Sequence, residues 1–173
     1  MTAQTARNPS WNRNQSNPEH VMPTRLHLVD GGATWKASQF LRQASDGLLY
    51  ETRTSAASGV SKDAITHFAL QDLDTALSND TTRRLAGIVQ ANDLWEINEL
   101  DTTVAEAASG QKAGMDVTSN LNTLDVSETT HTVFNIVTPV WRERAFQDAS
   151  DDTLARAIVR VLDTTINATP AAA

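Results

Sequence analysis

Four histidines, an acidic cluster around one tryptophan and a pair of adjacent arginines are the residues here whose types could do chemistry. His20, His27, His67 and His131 never form a close ligand pair such as His-x-x-x-His, so the spacing that holds zinc is missing. Strand and tail positions account for them instead. Asp93, Glu96, Glu99 and Asp101 gather around Trp95. Two carboxyls flanking a bond, beside an aromatic platform, would suit glycoside hydrolysis. Glu96, however, is one position from Trp95, which in a strand sends it to the opposite face. A solvated strand face explains the cluster. No Gly-x-Ser-x-Gly elbow is present, and Gly31-Gly32 reads as a turn with no phosphate-loop pattern around it. Arg83-Arg84 flanks a strand. The chain has no cysteine, which removes disulfides, thiol nucleophiles and zinc-thiolate sites. Asn14-Gln15-Ser16, Asn79-Asp80-Thr81 and Asn167-Ala168-Thr169 match the glycosylation pattern by chance. These residues imply no catalytic group, no metal and no cofactor; the expectation is a structural or binding protein and not an enzyme.

The elements that must carry these residues are short and mostly of period two. Arg25-Leu26-His27-Leu28-Val29 alternates and stops at Asp30-Gly31-Gly32. The stretch from Thr34 to Ala44 is ambiguous in type, and Asp46-Gly47 is a turn. Residues 48–54, 64–70, 85–90 and 94–100 read as strands. Gly87 marks a place where another backbone comes close. Asn92-Asp93 is a turn, and the next strand puts Trp95 and Ile97 on one face. A helical turn fits Thr102–Ala108. Further strands are expected at Gly114–Thr118, Leu124–Val126 and His131–Val137, with Pro139 ending the last because it cannot donate to a ladder. For residues 150–166, helical spacing of Leu154, Ile158, Val161 and Leu162 competes with strand alternation. The β-branched Ile158, Val159 and Val161 favour the strand. Many short strands with frequent turns predict an all-β fold, a small β-barrel or sandwich.

Charge and composition divide the chain of 173 residues. Residues 1–24 hold Pro9, Pro18, Pro23 and six Asn or Gln, with little apolar periodicity, and read as an extended N-terminal arm. Residues 25–166 form the β domain and 167–173 a flexible tail. The formal charge of -7 argues against a nucleic-acid binder, which needs a basic face. No apolar run reaches the roughly 18 residues of a membrane helix, and the N-terminus carries no secretion-signal pattern.

Several of these segments resemble the decoration, cement or head-stabilising proteins of tailed viruses. They are the stretch from Leu85 to Ile97, Gly110–Thr118, Thr132–Val137 and Ala155–Val161. The resemblance covers about half of the chain. It implies a small all-β structural subunit of the bacteriophage virion, a capsid decoration protein that binds the outer capsid surface after assembly in the host cytoplasm. It also implies a homotrimer whose partner is the major capsid protein lattice. An arm that orders on binding suits that role, and repetition would add avidity. Candidate contacts are Arg7, Trp11 and Arg13 in the arm and Trp35 and Trp141 in the body, because aromatics and arginines dominate interfaces. Core packing is the competing role for the two body tryptophans. Two other functions fit the same pattern: a coat protein that builds the shell itself, and a carbohydrate-binding β-sandwich with exposed Trp95 or Trp141 over acidic neighbours.

Overall fold

The computed structural model describes residues 9–15, 19, 21–52, 65–76, 82–98, 109–118, 121–141 and 156–166. They form two antiparallel sheets. Eleven strands run in the order β1 (Ser10–Asn14), β2 (Thr24–Leu28), β3 (Phe40–Gln43), β4 (Leu49–Glu51), β5 (His67–Ala69), β6 (Arg83–Ile88), β7 (Asp93–Asn98), β8 (Lys112–Thr118), β9 (Leu121–Asp125), β10 (Phe134–Trp141) and β11 (Arg156–Val161). One short helix, α1 (Asp163–Ile166), follows. The six-stranded sheet has the order β1-β7-β11-β10-β8-β9 and the five-stranded sheet the order β2-β6-β5-β3-β4. The sheets are not closed into a barrel, so of the two all-β architectures the chain adopts the sandwich. The helical turn expected at Thr102–Ala108 lies outside the described residues.

Alternation decides what each strand buries. In β11, Ala157, Val159 and Val161 point inward and Arg156, Ile158 and Arg160 outward. Val159 lies opposite Trp95, and Ala157 opposite Ile97. The contested C-terminal segment is therefore strand through Arg156–Val161, and it sits centrally, between β7 and β10. The inward faces meet over an aromatic cluster. Phe40 and Phe68 of the smaller sheet lie 5.0 and 4.6 Å, centroid to centroid, from Trp95 of the larger one. Phe134 closes on Phe40 at 5.7 Å. A buried polar link joins the sheets beside them. Phe40 N–H donates to Asn122 Oδ1 at 2.6 Å, and Thr52 Oγ1 donates to the Phe40 carbonyl at 3.0 Å.

Strands β3 and β5 of the five-stranded sheet are buried on both sides. The second face of this sheet curls around a separate core of Val29, Trp35, Leu41, Leu49, Leu73 and neighbouring alanines. The curl brings the residue after β2 onto β4, where Val29 bridges Leu49 and Asp30 N–H donates to the Leu49 carbonyl at 3.1 Å. Trp35 and Leu73 exchange two backbone hydrogen bonds that lay a further pair of segments over this core. The β3–β4 hairpin turns where expected, with Gly47 at φ 85°, a conformation that favours glycine.

Two local expectations need correction. The strand expected to stop at Pro139 runs on to Trp141. Its register against β11 shifts twice, between Ile136 and Thr138 and between Thr138 and Trp141, and β8 pairs only with Phe134 and Asn135. Thr138 Oγ1 accepts the Ile158 N–H at 3.1 Å, a side chain standing in for a ladder carbonyl. Proline is tolerated in such an irregular stretch because no regular ladder bond is demanded of it. At Gly87 the close neighbour is a side chain, not a backbone: the Met22 Sδ and Cε atoms lie 2.6 Å from where a Cβ would stand. Of the residues read as an arm, Ser10–Asn14 pair with β7 at the sheet edge, Trp11 opposite Trp95, with a bulge between Trp11 and Arg13.

Candidate functional site

The free edge of the five-stranded sheet is the surface best built for a partner. β2 pairs with β6 on one side only. The Ile88 N–H donates to the Pro23 carbonyl at 2.8 Å and the Val29 N–H to the Thr82 carbonyl at 3.2 Å. Antiparallel ladders bond at every second residue. Arg25 and His27 therefore turn their backbone groups to β6, whereas Thr24 and Leu26 turn theirs outward; at Leu28 the outer side already meets β4 through the Val29–Leu49 bridge. Leu26 is 63% exposed and Leu28 38%, and nearby Val21 is 80% exposed. Outward amides and carbonyls beside exposed aliphatic side chains are what an incoming strand needs: main-chain bonds for affinity and alternate side chains for specificity.

The other edges are better guarded. β1 is interrupted by its bulge, and bulges blunt edges. β4 is three residues long, and Asp30 already uses the Leu49 carbonyl. At β9, Asn122 is committed to Phe40 across the sandwich. β2 runs five residues in unbroken register with β6.

Behind the edge lies a histidine pair that sequence spacing did not single out. His27 of β2 and His67 of β5 stack edge to face, with centroids 4.2 Å apart, although β6 lies between their strands. The curl of the sheet brings them together on its concave face. Burial first, then the neighbouring His27, pushes the His67 pKa down to about 3. Burial first, then Arg25, lowers that of His27. Thr66 Oγ1 lies 2.8 Å from His67 Nδ1. Both rings are thus held neutral near pH 7, and protonating either would place a cation beside the other in a partly dry site.

The residues singled out from the sequence fall in different places. Trp11 is half-buried against the large core. Arg13 lies in β1 opposite Leu94. Trp35 is 2% exposed, at the centre of the second core, and donates its Nε1–H to the Gln71 carbonyl at 3.1 Å. Trp141 ends β10 opposite Arg156. Arg7 lies outside the described residues. The exposed Trp95 that a glycan platform requires is corrected: the ring is fully buried because its side of β7 is the core side. Its acidic neighbours are occupied as well. Asp93 accepts the Gln90 N–H at 2.9 Å, and Glu96 pairs with Arg156 at 2.9 Å. Glu99 and Asp101 lie outside the described residues. Among the described residues no three His, Asp or Glu side chains converge as metal ligands. No protein-family model, curated protein or solved structure matches the chain.

Proposed function

We propose that this chain is a non-catalytic structural subunit that docks on the outside of an assembled viral shell, the decoration role that its middle and C-terminal segments resemble. The observation that carries this reading is the open β2 edge, with outward backbone groups at Thr24 and Leu26 and exposed leucines beside them. A strand of the shell protein is the occupant that matches this edge, since each outward amide and carbonyl takes a backbone partner. Three copies around a symmetry axis would present the edge three times and multiply weak contacts. The proposed unit is a trimer of about 56 kDa, from a chain of 18.8 kDa.

The test is co-sedimentation of the purified chain with heads assembled from the shell protein of the same genome, against that shell protein dissociated into subunits. Binding to heads and not to free subunits is expected, weakened at least about ten-fold by Leu26→Arg. Equal binding to both forms, or a genome without a shell protein, sinks the reading. Megadalton particles formed by the chain alone would favour a coat protein instead.

A further inference from the structure

A chain of net charge -7 gathers arginines at its open edge. β2 and β6 together hold Arg25, Arg83 and Arg84 and no Asp or Glu. Arg25 and Arg83 are exposed, and Arg84 is half-buried. Among the described residues no carboxylate pairs with any of them, and Arg84 Nη1 reaches the Arg83 carbonyl at 3.4 Å. Cations elsewhere in the fold are matched: Arg156 pairs with Glu96, and Lys36 with Asp72 and Asp74. The next acid along the chain from β2, Asp30, accepts the Gly32 N–H at 2.8 Å.

Register sorts these residues onto two faces. Leu26 stands opposite Leu85, so both lie on one face with Leu28. Met22 extends that apolar face, because its side chain covers Gly87, which stands opposite Thr24. Arg25 stands opposite Ala86 and His27 opposite Arg84, and these occupy the other face. A strand added outside β2 continues both faces, since side chains directly opposite each other across an antiparallel pair lie about 5 Å apart. Its residues beside Thr24 and Leu26 fall on the apolar face, and the residue beside Arg25 falls on the arginine face. The Val29–Leu49 bridge closes the far end, so the open stretch is Thr24 to His27.

We infer that the strand this edge accepts alternates aliphatic and acidic residues, with aliphatic side chains beside Thr24 and Leu26 and an Asp or Glu beside Arg25. The inference rests on the docking edge proposed above and specifies the chemistry of its occupant. Strand addition strips water from the exposed face of Arg25, and a carboxylate in the incoming strand offsets that loss. A lysine or arginine at the same position would set like charges directly opposite, which is destabilising. A neutral segment would gain the main-chain bonds but leave Arg25 without a partner. The edge therefore selects by charge on one face and by apolar contact on the other.

The test is fluorescence anisotropy of short labelled peptides, capped at both ends, titrated with the full chain at low ionic strength. Valine alternates with threonine in all of them, except that one central threonine is replaced by Glu, Gln or Lys. Saturable binding of the Glu peptide is expected, about ten-fold tighter than the Gln peptide, with the Lys peptide weaker still. Arg25→Glu should invert the order, so that the Lys peptide binds best; Arg25 is exposed, and melting curves confirm the fold. Leu26→Pro removes an outward N–H without touching a ladder bond to β6, and should weaken all three peptides alike. No saturable binding of the Glu peptide, equal binding of the three, or an unchanged order in folded Arg25→Glu overturns the proposal. Displacement of the Glu peptide by single-stranded DNA at equal concentration would assign the arginines to phosphate and overturn it too. Heads that bind the chain while the Glu peptide does not would remove this inference and leave the decoration reading standing; a Glu peptide that binds while heads do not would do the reverse.

Discussion

β2 and β11 are written in nearly the same way and do opposite things. Each begins with an arginine, or one residue before it, and each alternates. In β11 the apolar members Ala157, Val159 and Val161 are the buried ones and the arginines face out. In β2 the exposed face carries Leu26 and Leu28, whereas the face with His27 leads to Val29 and the second core. Alternation assigns residues to two faces, but it does not say which face is covered. Position in the sheet decides that: β11 is flanked on both sides by strands, and β2 is at an edge.

The largest test of this contrast is at the aromatic centre that β11 supports. Trp95→Ala should lower the unfolding free energy by about 4 kcal/mol in urea titrations, the usual cost of emptying a large aromatic site. Val159→Ala should cost about 2 kcal/mol, while Leu26→Ala stays within about 0.5 kcal/mol. A Leu26→Ala loss as large as that of Val159→Ala would show that β2 packs as a core strand and would break the comparison.

The next effect belongs to the concave side of the edge. His67 has a pKa below its ordinary 6.5, so the folded state prefers the neutral ring. That stability is fully present above pH 6.5 and declines as the pH falls from there toward 3, by on the order of 5 kcal/mol. Unfolding curves taken across this range should show the decline, and His67→Leu should flatten it. A wild-type curve with no slope between pH 6.5 and 4 would contradict the burial of this pair.

Smaller effects sharpen the same picture on the core side. Asn122→Ala removes the acceptor for the Phe40 N–H and should cost about 2 kcal/mol, because a buried amide is left unpaired. Glu96→Gln should cost about 1 kcal/mol or less, since the ion pair with Arg156 is partly solvated. Chemical denaturation of the two variants beside the wild type checks both values, and reversed magnitudes would mean that the outward face carries more of the stability than the buried link.

Much of the strand content is readable from period-two patterning, and so is the pairing of Trp95 with Ile97 on one face. Glu96 on the opposite face follows from the same rule. What escapes is whatever depends on neighbours distant in sequence. The Met22 side chain over Gly87 and the continuation of β10 through Pro139 are set by packing and by irregular register. The free edge of β2 is invisible in Arg25-Leu26-His27-Leu28-Val29, because no residue there states which strand is last in its sheet.

The position of β11 also governs when the molecule can be finished. It is the last strand among the described residues, yet it fills the slot between β7 and β10. All five strands of the smaller sheet come from residues 24–88 and can leave the ribosome as a complete set. The larger sheet cannot zip until the C-terminal strand arrives, and its other partners must wait as two separate pieces. Non-local pairing of this kind slows folding and leaves strand edges open to aggregation in the interval. A nascent chain that stalls before Arg156 would therefore carry one sheet with all its strands and another still in two pieces.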